Sequence, residues 1–369
     1  MKLASYNVEN LFQRARALNQ DNVEAGKEVL KKHARLNILF NKDKYTTADK
    51  HAIVDLMMDL GVDKDDDGGK FVILRQNKGK LVKRGNAGVE VVANGRADWV
   101  GWLDLKIDDL DDVATKNTAR VVRHVDADVL AMVETESRPA LVRFSRHVIP
   151  AVGGAPYQHM MLIDGNDGRG IDVGIMLKKK FEIVRMLSHV DDRDHVGEIF
   201  SRDCPEYVIR TDKGNEIVVL VNHFKSKGFG AQEDSDEKRE RQALRVKDIY
   251  KGLIAAGHTN VAVVGDLNDT PNGGPLAPLL QQTSLKDIST HQQFDDEGRP
   301  GTFGNGAASQ KIDYILLSPS LFNATQRGGI FRKGVWGGEH GDLFPHLPEI
   351  TKESEAASDH AAIWAEIDV

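Results

Sequence analysis

The segment VVGDLNDTP, residues 263–271, places Asp266 and Asn268 directly after a short apolar run. The run at 261–264 is typical of a buried strand, and Gly265 ends it. The two polar residues are two positions apart, so the turn presents them on one side. A carboxylate and a carboxamide placed in this way can hold an attacking water and a phosphoryl oxygen together. Asp and Asn also favour turns for structural reasons alone, so the chemistry needs partners from elsewhere in the chain.

Five further apolar runs also carry residues that can bind metal ions or move protons. These residues are Asn7 and Glu9 in SYNVENLF, Glu134 in LAMVE, Asn222 and His223 in VNHFKS, Asp313 in KIDYILL, and Asp359 with His360 in SDH. A single histidine or acid at a strand end is usually packed or solvated without a further role. Six such strand ends are a different matter, because two sheets stacked face to face would bring them to one rim. The set then predicts a catalytic constellation.

In chain order, these motifs resemble the endonuclease/exonuclease/phosphatase superfamily, which includes pancreatic-type deoxyribonuclease, apurinic endonucleases, neutral sphingomyelinases and inositol polyphosphate phosphatases. Arg202 in FSRDCPE completes the matching set. The resemblance covers residues 1–12 and about 119–369. Strands, helices and hairpins also alternate along the chain, with a hairpin turn at 212–215 and a long helix at about 234–256. Together they predict an α/β fold, a four-layer sandwich of two central mixed β-sheets packed face to face with helices outside.

The resemblance implies a metal-dependent reaction at this rim. Oxygen ligands suit a hard cation, so we expect Mg²⁺ or Mn²⁺. The implied metal site comprises Asn7, Glu134, Asp266, Asn268 and Asp359. Glu9 lies two residues after Asn7 on the same face and is an alternative ligand.

The resemblance also assigns roles in proton transfer and phosphate binding. Asp266, oriented by Asn268, would position or deprotonate the attacking water, and the two histidines would move protons. In deoxyribonuclease-like relatives an acidic partner holds each histidine, which pairs Asp172 with His223 and Asp313 with His360. Arg202 is the implied phosphate clamp, since its planar fork matches a tetrahedral anion. Asn222 is a further catalytic candidate, because NHFKS resembles a motif of secreted bacterial nucleases.

Residues 13–118 depart from the family, whose connection between the first two motifs is far shorter. The whole chain, 1–369, is therefore predicted to be one domain of this superfamily with an inserted α+β subdomain or lid. The insertion starts with a helix at 23–40 and a second helix whose N-cap is expected to be Thr47. Hairpin-like strands follow. Trp99 and Trp102 are expected to pack the insertion onto the body, with stacking against bases as the alternative.

The acidic turn DKDDDGG, 63–69, imitates the start of a calcium-binding loop, but Leu74 stands where the bidentate Glu is needed. An acidic hairpin turn is the preferred interpretation, and Ca²⁺ as a structural ion stays open. Further along, the glycines between 328 and 341 predict a loop ahead of the final strand.

Charge and composition limit the partners. The net charge of −7 argues against non-specific binding of long duplex DNA, because such proteins usually present a basic face. No apolar run is long enough to span a membrane. The single cysteine, Cys204, and the absence of a signal-peptide pattern predict a cytoplasmic protein, with secretion open if a leader was removed. We expect a monomer, and no protein partner is indicated.

These observations predict a metal-dependent phosphodiester hydrolase, and most directly an endonuclease acting on DNA or other nucleic acid. The alternative is a phosphatase or sphingomyelinase-like hydrolase of a small phosphorylated or lipid head group, for which an acidic surface is less awkward. A non-catalytic binding module on the same scaffold is the third option. It is disfavoured because every expected ligand and both histidines are present.

Overall fold

A computed structural model describes residues 1–11, 23–86, 88–106, 112–168, 170–227 and 232–369. The chain divides into two compact units. We call the first, Met1–Phe12 with Asp111–Val369, the body, and the second, Gln13–Leu110, the inserted unit. Residues 111–118, which the sequence places in the insertion, group with the body.

The strands in the described residues are β1 (Lys2–Leu11), β2 (Val72–Lys78), β3 (Val82–Gly85), β4 (Gly88–Val91), β5 (Val100–Leu105), β6 (Val129–Thr135), β7 (His159–Leu162), β8 (Asp172–Leu177), β9 (Glu182–Leu187), β10 (Glu206–Arg210), β11 (Glu216–His223), β12 (Val261–Asp266), β13 (Lys286–Asp287), β14 (Phe294–Asp295), β15 (Asp313–Leu317), β16 (Thr325–Phe331) and β17 (Ala362–Ile367). The helices are α1 (Val23–Phe40), α2 (Thr47–Leu60), α3 (Asp112–Val125), α4 (Arg138–Arg143), α5 (Ile149–Ala151), α6 (Gln232–Ala255), α7 (Ala277–Leu280) and α8 (Pro319–Asn323).

Two mixed sheets form the centre of the body. One has seven strands in the order β14-β16-β17-β1-β6-β8-β7, and the other has six in the order β13-β15-β12-β11-β10-β9. Side chains from both sheets form one dry core between them, among them Leu3 and Val129 from the first sheet and Val219 and Val264 from the second. The body is therefore a sandwich of two facing sheets, as the sequence predicted.

Helices cover the outer face of each sheet. Residues of α3 and α4 pack with the outward-facing side chains of β1 and β6. Residues of α6 and α7 pack on the outward side of β11 and β12. Consecutive residues of a strand point to opposite faces, so a strand covered on both sides must be apolar throughout. The uninterrupted runs 218–221 and 261–264 meet this requirement. The observed architecture is the predicted four-layer sandwich.

The first part of the loop predicted at 328–341 is a strand, and the rest is a loop as predicted. Gly328 and Gly329 lie in β16, which pairs with β17 on one side and β14 on the other. A Cβ atom on Gly328 would lie 3.0 Å from atoms of Ile288, Phe294 and the main chain of Trp364. These glycines therefore allow neighbouring groups to approach a strand closely, a use of glycine that the sequence pattern did not distinguish from a loop.

The inserted unit has its own core. Helices α1 and α2 contribute Phe40 and Met57, and the strands contribute Val72 and Leu103. Strand β2 pairs antiparallel with β5, and β3 pairs with β4. Two expectations for this unit were wrong in detail. The N-cap of α2 is Thr46, one residue earlier than expected, and it forms a capping box with Asp49. The Trp99 side chain is buried in the unit's own core against Phe40.

Among the described residues, no helix combines the length and the apolar character that crossing a membrane requires.

Candidate active site

The strand-end residues come together at one rim of the body. Strands β1 and β6 are parallel neighbours in one sheet, and β11 and β12 are parallel neighbours in the other. The carboxyl ends of each pair therefore lie together, and the antiparallel partners β8, β15 and β17 begin at the same edges. This topology explains how motifs far apart in the chain supply one site. The residues placed at these edges are Asn7, where the regular pairing of β1 with β6 ends, His360, two residues before β17, and the strand-end residues Glu134, Asp172, His223, Asp266 and Asp313.

The buried carboxylate of Asp266 lies at the centre of the site. Its Oδ2 accepts a 3.1 Å hydrogen bond from Asn7 Nδ2, which joins the two sheets at the rim. The Nε2 atoms of His223 and His360 lie 3.8 and 3.9 Å from the same oxygen. Burial, and then the charge of Asp313, raises the pKa of Asp266 to about 7. Asp266 is therefore able to exchange a proton near neutral pH.

Asp313 orients the imidazole of His360. The ring donates from Nδ1 to Asp313 Oδ2 at 2.8 Å, so Nε2 faces the carboxylate of Asp266. Burial works against a charged imidazole, but the charges of Asp313 and Asp359 outweigh it and hold the pKa of His360 well above its ordinary value. The ring of Phe303 packs against the imidazole with the centroids 4.9 Å apart. His360 is therefore a fixed imidazolium able to donate a proton from Nε2.

Asn7 and Glu134 form the side of the site next to His223. Asn7 Nδ2 lies 3.4 Å from Glu134 Oε1, and that oxygen lies 3.7 Å from His223 Nε2. Burial raises the pKa of Glu134. Glu9, the alternative ligand, has a different contact, because its Oε2 accepts a 3.1 Å hydrogen bond from the main-chain N–H of Asp359. Glu9 therefore ties the end of β1 to the residue before His360.

Three site residues have a left-handed backbone. The φ angles of Glu9, Glu134 and Asn268 are 49°, 64° and 53°. Asparagine tolerates this region, but glutamate rarely occupies it. Such strain persists only where the surrounding structure fixes the chain, and it concentrates at functional sites. The left-handed backbone of the two glutamates could not be predicted from the sequence, because glutamate is not a residue type that favours this conformation.

Asn268 connects the loops that follow β11 and β12. Its main-chain N–H donates to Asp266 Oδ1 at 2.8 Å, and its Nδ2 donates to the carbonyl of Phe224 at 3.1 Å. The close approach of these strands also explains Gly265, where a Cβ atom would lie 1.9 Å from the carbonyl oxygen of Asn222. The loop carrying Asn268 is thus fixed to the residue after His223.

Helix α6 holds the first of these loops from the side. Gln242 Oε1 accepts the main-chain N–H of Lys225 at 2.9 Å, and Arg239 Nη1 donates to the carbonyl of the same residue at 2.9 Å. Arg239 is fully buried, and its Nε lies 3.4 Å from Asp269 Oδ2 in the other loop. We call Arg239 and Gln242 the α6 clamp. The sequence predicted this helix but gave no indication of this role.

Three predicted site residues have other surroundings. Asp172 lies at the rim, but its Oδ1 accepts the N–H of Gly165 at 2.8 Å, and in the described part of the chain it makes neither a hydrogen bond nor an ion pair with His223. Asn222 lies on the opposite face of the sheet from His223, because side chains alternate along a strand, and its Nδ2 donates to the carbonyl of Leu220.

Arg202 lies beside the site. It is only 2% exposed, and its Nη2 forms a 3.0 Å ion pair with Asp167. Its charge lowers the pKa of Glu134 and of Asp172 against the effect of their burial. The predicted phosphate clamp is thus within electrostatic range of the rim, and a carboxylate holds its guanidinium in place.

Supporting residues that sequence reasoning missed also contact the site. Ser358 Oγ donates to the carbonyl of Asn7 at 2.8 Å and accepts the N–H of His360 at 3.0 Å, so it joins β1 to the start of β17. Thr302 Oγ1 accepts the N–H of Asp313 at 3.0 Å. Ser358 could have been found from the sequence, because it belongs to the SDH motif. Thr302 and Phe303 lie outside the motifs and could not be identified from them.

Two separate sets of groups at the rim are candidates for holding a metal ion. One ligand atom from each of Asp266, Asp313 and His360 lies within 4.8 Å of the others. The hydrogen bond between Asp313 and His360 would have to be displaced by an ion there. The other set consists of oxygen donors of Asn7, Glu134 and Asp359. This second set offers only oxygen ligands, which a hard divalent cation prefers, although the Asn7 amide points its nitrogen at Glu134 and Asp266 and its oxygen accepts the N–H of Glu9 at 3.1 Å.

Comparison with known proteins gives a consistent result. Residues 92–327 match the model of the Endonuclease/Exonuclease/phosphatase family. No curated protein sequence matches the chain. Among solved structures, a mannosyl-6-phosphatase of Bacteroides thetaiotaomicron VPI-5482 is similar with a TM-score of 0.50 and 18% identity, over 69% of this chain and 91% of that chain. An endonuclease/exonuclease/phosphatase family protein from Bacteroides thetaiotaomicron has the same score and identity, over 68% and 85%. The human nocturnin catalytic domain with bound sulfate has a TM-score of 0.49 and 12% identity, over 71% and 88%. The two structures with a TM-score of 0.50 share the fold of this chain.

Proposed function

Because the chain belongs to the endonuclease/exonuclease/phosphatase family, whose members hydrolyse phosphoric esters, we propose that it is a metal-dependent phosphodiesterase that cleaves nucleic acid as an endonuclease. The observation that carries this proposal is the position of the Asp266 carboxylate between the Nε2 atoms of His223 and His360. A group that can accept a proton thus lies between two groups that can donate one, as attack of water on phosphorus and departure of an alkoxide require.

The roles follow from the geometry of each side chain. Asp266 accepts the proton of the attacking water, which suits its pKa of about 7. His360, held by Asp313 through Nδ1, presents a protonated Nε2 to the phosphoryl group. His223 supports the negative charge that develops on the phosphoryl oxygens. Asn268 fixes the loop that carries Asp266, and Arg202 supplies a positive potential beside Glu134.

Asn7, Glu134 and Asp359 would hold the metal ion, for which we propose Mg²⁺ or Mn²⁺. When bound, such an ion would offset the negative charge of the substrate phosphate. The Asn7 amide presents its nitrogen to Glu134 and Asp266, and half a turn of the amide would present its oxygen instead.

A second candidate function is hydrolysis of a small phosphorylated head group or sugar phosphate. The excess of acidic residues over the whole chain favours it, because a small substrate needs no basic surface around the site. The mannosyl-6-phosphatase with the same fold illustrates such an activity. Both candidate functions use the same rim residues, so only an assay of which substrate is hydrolysed distinguishes them.

The test is cleavage of supercoiled plasmid by the full chain with Mg²⁺, with Mn²⁺ and with chelator. Nicking that requires metal and is lost in Asp266→Ala and His360→Ala supports the endonuclease. Asp212→Ala, in an exposed turn outside the site, is the matched control and should keep full activity. Circular dichroism should show that every variant is folded.

Two results would contradict this proposal. Full nicking by both rim variants would refute the residue assignment. Folded protein that nicks no plasmid with either metal would refute the endonuclease, and release of phosphate from phosphomonoesters would then establish the second candidate.

A further inference from the structure

The two-stranded sheet β2–β5 of the inserted unit has one buried face and one exposed face. Val72 and Leu74 of β2 and Leu103 of β5 point into the unit's core. The residues between them point to solvent, because side chains alternate along each strand. On this exposed face Arg75 lies opposite Trp102, and Lys78 lies opposite Val100. We call these four residues the Trp102 face.

The two tryptophans near this face have opposite environments. Trp99 is 1% exposed, donates from Nε1 to Tyr45 Oη at 2.9 Å, and packs so closely on Gly101 that a Cβ there would lie 2.4 Å from its ring. Trp102 is 43% exposed, and its neighbour Val100 is 47% exposed. Trp99 is therefore explained by folding of the unit. The exposed Trp102 gains little for folding, and an exposed tryptophan beside a second apolar side chain is typical of a binding surface.

The charge around the Trp102 face contrasts with that of the whole chain. Residues 70–98 contain seven Lys and Arg but only two Asp and Glu, whereas the whole chain has a net charge of −7. Within the described residues, the exposed Lys78, Lys80 and Lys83 form no ion pair. Arg75 has only a 3.4 Å contact with Asp104. The segment that supplies strand β2 is thus basic within an acidic protein, and it places Arg75 opposite Trp102 and Lys78 opposite Val100, with Lys80 two residues further along the chain.

We propose that the Trp102 face binds single-stranded nucleic acid, with an unpaired base stacked on Trp102 and phosphates bound by Lys78 and Lys80. Aromatic side chains that stack bases beside cations that follow the backbone are how proteins hold single strands without sequence preference. A protein partner would bury the same apolar groups, but the cluster of unpaired lysines complements a polyanion. This inference rests on the proposed function, to which it adds a binding surface for unpaired nucleotides on the inserted unit.

The experiment measures binding of a fluorescein-labelled oligothymidine of about 12 nucleotides to the full chain in chelator, by anisotropy and by quenching of tryptophan fluorescence. We expect Trp102→Ala to bind about 5- to 100-fold more weakly, and Trp102→Phe to stay near the unmodified protein, because phenylalanine keeps an aromatic face. Ile38→Ala is the matched control, since Ile38 is an exposed apolar residue on α1. It should bind normally.

The role of the lysines is tested by measuring how the affinity for the oligonucleotide depends on salt concentration. The double variant Lys78→Gln/Lys80→Gln should reduce the slope of log affinity against log salt by roughly 0.7 for each lost phosphate contact. Lys64→Gln, in the acidic turn, should leave the slope unchanged. Absence of binding, or equal binding by Trp102→Ala and the unmodified protein, would overturn the proposal.

Binding and cleavage are measured separately, so their failures differ. Strand binding without cleavage in metal would refute the endonuclease alone. Cleavage without binding at the Trp102 face would refute this inference alone.

Discussion

Asn268 donates a 3.1 Å hydrogen bond from its side-chain amide to the main-chain carbonyl of Phe224, the residue that follows His223. Its main-chain N–H donates at the same time to the carboxylate of Asp266. One residue thus fixes the distance between the histidine at the end of β11 and the carboxylate at the end of β12. The sequence predicted that Asn268 orients Asp266, and the structure adds a positioning contact for its NH₂ group.

This contact predicts that Asn268→Asp impairs catalysis without unfolding the protein. The substitution keeps the size of the side chain but replaces the NH₂ donor with an oxygen, which faces the carbonyl of Phe224. We expect kcat to fall about 10- to 100-fold, because small displacements of catalytic groups are costly. The measurement is steady-state hydrolysis of the substrate identified in the plasmid or phosphate-release assay.

The same two strands offer a matched control at their other ends. Asn260 precedes β12 and donates from Nδ2 to the carbonyl of Glu216 at the start of β11, at 3.2 Å. Asn260→Asp removes an equivalent link far from the rim, and we expect it to leave kcat unchanged. Equal loss of activity in Asn260→Asp and Asn268→Asp would show that general loosening of the strands, and not the position of Asp266, controls the rate.

A second prediction concerns the charge of Asp313. Asp313→Asn keeps the shape of the side chain but faces Nδ1 of His360 with an amide, which favours the wrong tautomer and removes the charge that raises the pKa of His360. We expect kcat to fall on the order of 1,000-fold with little change in KM. Asp287→Asn is the control, because Asp287 forms a 2.7 Å ion pair with Lys311, which lies two residues before β15. If Asp287→Asn changes only the thermal stability, the loss of kcat in Asp313→Asn comes from its contact with His360 and not from loss of a buried charge in general.

The sequence was sufficient to predict which residues gather at the rim, because these residues are recognisable by their type and by their position next to apolar runs. Asp266, His360 and Asn7 follow or precede apolar runs, and strand topology brings such ends together whatever the details of the loops. Contacts that depend on which way a side chain turns could not be predicted. Asn222 and His223 are adjacent in sequence, yet alternation along the strand places them on opposite faces of the sheet.

The sequence also predicted the main elements of the fold, but not all of their boundaries. Long periodic elements such as α1 were located with their correct ends, because helical spacing extends over many residues. Boundaries were less certain where two residues of one type are adjacent, since Thr46 and Thr47 can both cap a helix. Gly328 and Gly329 were mistaken for a loop because the neighbours that need the space of a missing side chain come from remote segments.

A third prediction tests the α6 clamp as a positioning device. Gln242→Met removes the acceptor of the Lys225 N–H but keeps the length of the side chain, whereas Gln242→Glu retains an acceptor. We expect kcat to fall about 10-fold in the first variant and to recover in the second. Hydrogen exchange at residues 224–227 should accelerate in Gln242→Met, because the Lys225 N–H loses its acceptor and the loop around it loses an anchor.

The control for the clamp is Val246→Ala on the same helix. Val246 is fully buried among the apolar residues that pack α6 on β11 and β12, so its truncation lowers stability through packing. We expect its exchange at 224–227 and its kcat to be unchanged under conditions where it is folded. Exchange can be measured without substrate, so it tests the clamp independently of the proposed activity. Normal exchange in Gln242→Met would refute the clamp.

The fourth prediction concerns stability and pH. The His189 ring contacts two carboxylates, with Nδ1 2.8 Å from Asp192 Oδ2 and Nε2 2.8 Å from Glu206 Oε1. Arg245 also contacts Asp192, and Asp203 accepts the main-chain N–H of His189. Only an imidazolium donates from both nitrogens. Burial lowers the pKa of His189, but the hydrogen bond to Glu206 and the charges of Asp192 and Glu206 outweigh it, so the folded protein has the raised value.

A raised pKa stabilises the fold most when the histidine is protonated in both states, which is below its ordinary pKa of about 6.5. The contribution is then lost as the pH rises through the folded value. We therefore expect the free energy of unfolding of the unmodified protein to fall more steeply above pH 6.5 than that of His189→Gln, measured by urea denaturation across this range. His360 titrates in both proteins, so its effect cancels in the difference between them. Parallel curves for the two proteins would mean that His189 carries no net charge in the fold.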